Sequence, residues 1–218
     1  MLSSSPNRPM VYSGTTTVGI ECSDGIVFAT DTRVMAGSYF IAHKHGKKIY
    51  QIDKHLAMTI AGGVADAQNV VDTLKYFSGL YRLERRLPIP VKSAARLTAN
   101  VLFSSRLFPY IADVLVGGVD DIGASIFNID LFGTLIQEKC VSTGSGSPVA
   151  YGILESEFKE GLPVSKGMLL ATKAVRAAMS RNAGTGDSFD VSSITKDGYS
   201  ELTEEEKNRL LPQVSGRS

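Results

Sequence analysis

The residues best suited to chemistry stand near the start of the chain, in Gly14-Thr15-Thr16-Thr17-Val18-Gly19-Ile20. A threonine hydroxyl is a weak nucleophile at neutral pH and needs a base beside it. If the chain is cut between Gly14 and Thr15, the freed α-amine supplies that base on the same residue. Such an amine titrates near about 7.7–8.0, so part of it is already neutral around pH 7. Gly14, lacking a Cβ, lets the hydroxyl approach the carbonyl it must attack. On this reading residues 1–14 are a removable leader and residues 15–218 the working domain. The plainer alternative is that Thr15 to Thr17 only open a β-rich strand.

A nucleophile needs neighbours, and two hairpins can bring them. Val18, Ile20 and Cys22 alternate with Thr17, Gly19 and Glu21, the period of a strand. Ser23-Asp24-Gly25 is a turn signal, and Ile26 to Thr30 reads as the returning strand. With Asp24-Gly25 as the two-residue turn, Val18 faces Asp31 and Thr16 faces Arg33. A slip by one residue still returns Asp31 and Arg33 beside the first strand. Met35-Ala36-Gly37-Ser38 reads as a loop, followed by an extended piece from Tyr39 to Ala42.

Lys48 to Ile52 and Leu56 to Ile60 form a second hairpin around Asp53-Lys54-His55. Strand parity puts Lys48 on one face with Tyr50 and Ile52, partly shielded, and Lys47 on the other. Ala61-Gly62-Gly63 then breaks the pattern before a helix. Backbone amides left free at such a place can stabilise an oxyanion, although most Gly-Gly pairs are only turns.

Helical periodicity follows in Ala65 to Arg86 and, beyond Pro88 and Pro90, in Val91 to Phe108. Leu115 to Val119, Ser125 to Asp130 and Thr134 to Gln137 read as short strands. Ser142-Thr143-Gly144-Ser145-Gly146-Ser147-Pro148 lacks the lysine of a phosphate-binding loop, which argues against nucleotide binding. Two more helices fit Val149 to Glu160 and Val164 to Arg181. Strands at Phe189 to Thr195 and Tyr199 to Leu202 come next, then a terminal helix that Thr203 and Glu206 would cap. The order of elements predicts an α+β fold with mostly antiparallel strands. Two sheets packed face to face with helices outside, a four-layer αββα sandwich, would bury them.

Composition excludes several functions. The 218 residues are 43% hydrophobic and 21% charged with a formal net charge of +1, which fits one globular domain and disfavours nucleic acid as a partner. No window approaches the roughly 18 consecutive apolar residues of a membrane span. The leader, with Ser3, Ser4, Ser5, Pro6 and Pro9, has no apolar core and is not a secretory signal. Cys22 and Cys140 lack metal or redox spacing and read as buried free thiols, which suits a reducing compartment. His43 and His45 have no carboxylate placed to complete a metal site, so no metal and no cofactor is expected. No histidine is placed to pair with a serine in a triad.

Taken together, five segments resemble the β-type subunit of the proteasome core particle, and archaeal β subunits above all. They are Gly14 to Gly19, Ala29-Thr30-Asp31-Thr32-Arg33, Gly46 to Asp53, Met58-Thr59-Ile60-Ala61-Gly62 and Ser142 to Ser147. Each is short, but they occur in order, and the likeness runs from Gly14 to about Leu211. It implies the N-terminal-nucleophile hydrolase fold, self-cleavage and threonine-type peptidase activity in the cytoplasm. It also implies seven-membered β rings stacked between α rings, with an ATP-dependent unfoldase feeding unfolded proteins to the particle.

Carried over by position, Thr15 matches the nucleophile, Asp31 its acidic partner and Lys48 the lysine that completes the catalytic set, with Lys47 the lesser contender. Arg33 stands in the same segment as Asp31. Gly62 matches the oxyanion donor and Ser145 the supporting serine. Asn182 stands where the family usually has an aspartate, and Thr185 where it has a serine, so one negative charge is missing from the network. Val34, Met35, Ile60 and Val64 match the lining of the specificity pocket, which predicts cleavage after hydrophobic residues. A structural β-ring subunit without catalysis is the competing function.

Overall fold

The computed structural model describes residues 14–37 and 40–214. Most of the proposed leader, and Ser38 and Tyr39 of the expected loop and extended piece, lie outside these. The chain forms one sheet in the order β10-β1-β2-β11-β12 and another in the order β5-β6-β7-β8-β9. The first comprises β10 (Cys140–Thr143), β1 (Thr17–Cys22), β2 (Gly25–Asp31), β11 (Phe189–Thr195) and β12 (Gly198–Glu201). The second comprises β5 (Ile49–Asp53), β6 (Leu56–Gly62), β7 (Ala112–Asp120), β8 (Gly123–Ile129) and β9 (Leu135–Glu138). All of the pairings within them are antiparallel. A small third sheet pairs β3 (Val34–Ala36) with β4 (Phe40–His43), where the sequence reads as a loop and an extended piece.

Strand parity sorts the side chains into three apolar layers. Val27 and Ala29 of β2, with Val18 and Ile20 of β1, pack under α3 (Ser147–Glu157) and α4 (Val164–Arg181). Leu56, Met58 and Ile60 of β6, with Val114 and Val116 of β7, pack under α1 (Val64–Arg85) and α2 (Val91–Ser104). The alternate residues Ile26, Phe28, Ala57, Leu115, Ile126 and Ile194 meet between the two sheets. All seven residues of β2 are therefore buried, because both faces of the strand are covered. The sheets approach closely enough that a Cβ on Gly117 would lie 2.7 Å from Ile26 Cδ1 and 2.9 Å from Phe28 Cζ. Any side chain there would overpack the layer, at a cost of about 1–3 kcal/mol.

The structure moves several expected boundaries. α2 stops at Ser104 rather than Phe108, and the next residues form tight turns toward Pro109, before which helical backbone is disfavoured. β10 carries no strand signal in the sequence, since its Ser and Thr do not form a hydrophobic alternation, but it closes the edge of β1 with Thr17 opposite Thr143. α4 and β11 keep their expected spans. The terminal helix α5 (Glu204–Val214) has the expected reciprocal cap: Glu206 N–H donates to Thr203 Oγ1 and Thr203 N–H to Glu206 Oε2.

Candidate active site

The first hairpin turns at Ser23-Asp24, one residue earlier than expected, so Cys22 pairs with Gly25 and Val18 with Ala29. The register thus differs by two residues from the one set by an Asp24-Gly25 turn. Asp31 arrives opposite Thr16 instead of Val18: its N–H donates to Thr16 O at 3.2 Å. This correction brings the carboxylate closer to the start of the strand, beside Thr15.

Asp31 is fully buried and has four donors aimed at it. Oδ1 accepts from Thr16 N–H at 2.8 Å and from the Lys48 ammonium at 2.9 Å. Oδ2 accepts from Arg33 N–H and Gly186 N–H, each at 3.1 Å. Lys48 is 5% exposed. Burial pushes its ammonium below the ordinary lysine range, and the Asp31 carboxylate opposes that shift. Lys47 instead reaches outward to Glu201 at 3.1 Å, so geometry separates the two lysines as strand parity does.

Thr15 is 1% exposed, and its hydroxyl donates to the Gly14 carbonyl at 2.7 Å. Its N–H donates to Ser145 Oγ at 3.3 Å. The Ser145 hydroxyl in turn donates to Asn182 Oδ1 at 3.0 Å. Thr185 Oγ1 donates to the same oxygen at 3.1 Å, and this orients the Thr16 hydroxyl to donate to Thr185 at 2.8 Å. Gly184 N–H adds a third donor at 3.0 Å, while Asn182 Nδ2 donates to Ser145 O at 3.0 Å. The last bond uses a donor that an aspartate lacks. Asn182 is thus a fitted member of the network with both ends of its amide engaged.

Arg33 does not touch Thr15. Its guanidinium donates to Asp187 Oδ2 at 2.8 Å and to Ala183 O at 2.6 Å, bracing the loop whose Gly186 reaches Asp31. That contact holds the Asp187 carboxyl below the usual carboxylate range.

A small pocket beside Thr15 is lined by Val34, Lys47, Lys48, Tyr50, Ile60, Gly62, Val64 and Ala67. Val34, Ile60 and Val64 are in this lining. Met35 is not in the lining; it is buried on β3, one residue out of phase with Val34. Lys47, Lys48, Tyr50 and Ala67 join the lining, so charged side chains border the apolar surface of Val34, Ile60 and Val64. Gly62 has φ +148°, and a Cβ there would lie 1.9 Å from Ile111 O, so only glycine fits. Of the two amides after Ala61, Gly63 is committed to Ile111 O at 2.7 Å, which leaves Gly62 as the candidate oxyanion donor.

Sequence reasoning missed Thr32. Its hydroxyl donates to Lys44 O at 2.6 Å and accepts from Ser188 N–H at 3.2 Å, while its carbonyl accepts from Gly46 N–H at 2.8 Å. One buried residue therefore ties the loop leading to Lys48 to the loop that supplies Gly186. Its place between Asp31 and Arg33 was the only available signal.

Larger concavities lie elsewhere. One of about 550 Å³ sits among the turns that carry Ser23, Val119 and Lys196, away from Thr15. Among the described residues no helix is long and apolar enough to cross a membrane.

The chain is also similar to known proteins. The family model described as "Proteasome subunit" matches residues 11–194. The chain is 49% identical over 201 residues to "Proteasome subunit beta 2" of Nitrosopumilus maritimus, an alignment covering 92% of this chain and 95% of that one. It is 47% identical over 201 residues to "Proteasome subunit beta 2" of Cenarchaeum symbiosum, with the same coverage. To "Proteasome subunit beta" of Methanothermobacter thermautotrophicus it is 48% identical over 210 residues, covering 96% of this chain and 100% of that one. The chain belongs to the proteasome subunit family and stands with its archaeal-type β subunits.

Proposed function

We propose that this chain is a threonine endopeptidase of the proteasome core particle, a four-layer αββα hydrolase that frees its own nucleophile by cleavage between Gly14 and Thr15. The observation that carries the reading is the buried Asp31 carboxylate. One of its oxygens takes both the Thr16 amide and the Lys48 ammonium, so a cation is held within one residue of Thr15.

In self-cleavage the Thr15 hydroxyl oxygen bonds to the Gly14 carbonyl carbon, the Gly14–Thr15 C–N bond breaks, and the amine takes up the proton the hydroxyl gives. Water then hydrolyses the ester to leave the Gly14 carboxylate and a free Thr15. In turnover the α-amine accepts the hydroxyl proton as Oγ1 attacks a peptide carbonyl, and passes it to the leaving amine as the peptide C–N bond breaks; water then hydrolyses the acyl ester and restores Thr15. Lys48 stabilises the developing alkoxide and lowers the amine's pKa. The Gly62 amide receives the oxyanion. Ser145, held by Asn182, orients the amine, and Asn182 in turn accepts the Thr185 hydroxyl.

Val34, Ile60 and Val64 supply an apolar surface for the side chain before the cut, which favours hydrophobic residues. The partners on this reading are β neighbours in a seven-membered ring, α subunits, an ATP-dependent unfoldase and unfolded protein substrates, all in the cytoplasm.

Intact-mass analysis after co-assembly with α subunits, joined to a panel of fluorogenic peptides, tests the proposal. Loss of residues 1–14, abolished by Thr15→Ala, with faster cleavage after Leu or Tyr than after Arg or Glu, is the expected result. Retention of the leader with no hydrolysis would make the chain a structural ring subunit. Faster cleavage after Glu would assign the pocket's selectivity to Lys47.

A further inference from the structure

The uncleaved chain contains a contact that cleavage would abolish. Gly14 is buried with its main chain pressed against that of Gly184, in the loop between α4 and β11. A Cβ on Gly14 would lie 2.1 Å from Gly184 Cα, and a Cβ on Gly184 would lie 2.5 Å from Gly14 Cα. Each obstacle is backbone, which has no rotamer by which to yield. The loop is pinned on both sides of the contact, by Gly184 N–H on Asn182 Oδ1 and by Thr185 on the Thr16 hydroxyl. Gly184 is not part of the pocket wall formed by Val34, Ile60, Gly62 and Val64.

Resting on the reading of Thr15 as nucleophile, we infer that Gly184, through its missing Cβ, is a positioning residue for self-cleavage. It lets Gly14 settle where its carbonyl accepts the Thr15 hydroxyl at 2.7 Å. A methyl group at position 184 would have to displace Gly14 by about 1 Å to reach ordinary contact, and a misplacement of that size slows a reaction by about a hundredfold. Once residues 1–14 have left, the same methyl group points into the space Gly14 occupied, its remaining close neighbour being Asn182 Oδ1 at 3.3 Å, and the Gly184 N–H that Asn182 accepts is unchanged.

The test compares Gly184→Ala in two forms co-assembled with α subunits: the full chain, and a chain whose Thr15 is exposed by removing an N-terminal ubiquitin fusion. In the full chain, intact mass should show leader loss slowed by about a hundredfold. In the form beginning at Thr15, fluorogenic peptide hydrolysis should be slowed far less than leader loss is, which also shows that the variant folds. Parental processing of the full-length variant would overturn the inference. So would loss of hydrolysis in the variant beginning at Thr15, since Gly184 would then serve folding or turnover. An inactive parent beginning at Thr15 would overturn the reading of Thr15 itself, and the inference with it.

Discussion

Replacing Asp31 by asparagine changes one atom and sets four hydrogen bonds against one another. Oδ1 faces Thr16 N–H and the Lys48 ammonium, and Oδ2 faces Arg33 N–H and Gly186 N–H. A carboxamide must turn its NH₂ toward one of these pairs, so either orientation opposes two buried donors with a third. Leaving a buried donor unsatisfied costs about 1–3 kcal/mol, or about 2–6 for two. Breaking a buried ion pair by removing one partner costs about 3–5 kcal/mol. These describe the same loss by two routes, so about 3–5 kcal/mol is expected in all. For a chain of this size the midpoint of thermal unfolding should drop by roughly 10 °C.

The form beginning at Thr15 should also lose peptidase kcat on the order of 10²–10³-fold, because Lys48 is no longer anchored beside the nucleophile. Calorimetry and peptide hydrolysis on that form measure both effects. Adding Lys48→Met should shrink the stability cost of Asp31→Asn, since the two residues share one interaction. An unchanged melting midpoint together with parental turnover would refute the assignment of Asp31 as the group that holds the site together.

Three further outcomes follow from the same geometry. Lys48 acts as a cation, so kcat/KM should decline as pH rises through its lowered pKa, with the basic limb starting below the ordinary value of 10.5. Because the folded pKa is depressed, stability should rise between that pKa and 10.5, and Lys48→Met should remove the rise; a flat denaturation profile across that window would contradict it. Asn182→Asp should destabilise the chain by about 1–2 kcal/mol, because the bond from Nδ2 to Ser145 O is lost and an oxygen faces an oxygen; a higher melting midpoint would show the network prefers the charge. Burial pushes the thiols of Cys22 and Cys140 up to about 12, so iodoacetamide at neutral pH should label neither until the chain is denatured, as peptide mass mapping can check.

The sequence determined the elements whose signals are local. The alternation through Val18, Ile20 and Cys22, the helical span from Val164 to Arg181 and the Thr203–Glu206 cap each depend on neighbours a few residues apart, and each stands where it was expected. Strand parity also chose Lys48 over Lys47. Tertiary structure decided what depends on distant backbone. The turn at Ser23-Asp24 set the register that puts Asp31 against Thr16, because both adjacent dipeptides offer turn residues and only the pairing of β2 with β1 and β11 selects one. The convergence of Ser145, Thr185 and Gly184 on Asn182 leaves no periodic trace, nor does the bracing by Thr32 or the pressing of Gly14 on Gly184. These contacts join segments up to 170 positions apart, as with Gly14 and Gly184. No pattern along the chain encodes how closely two backbones will approach once the sheets and helices have packed.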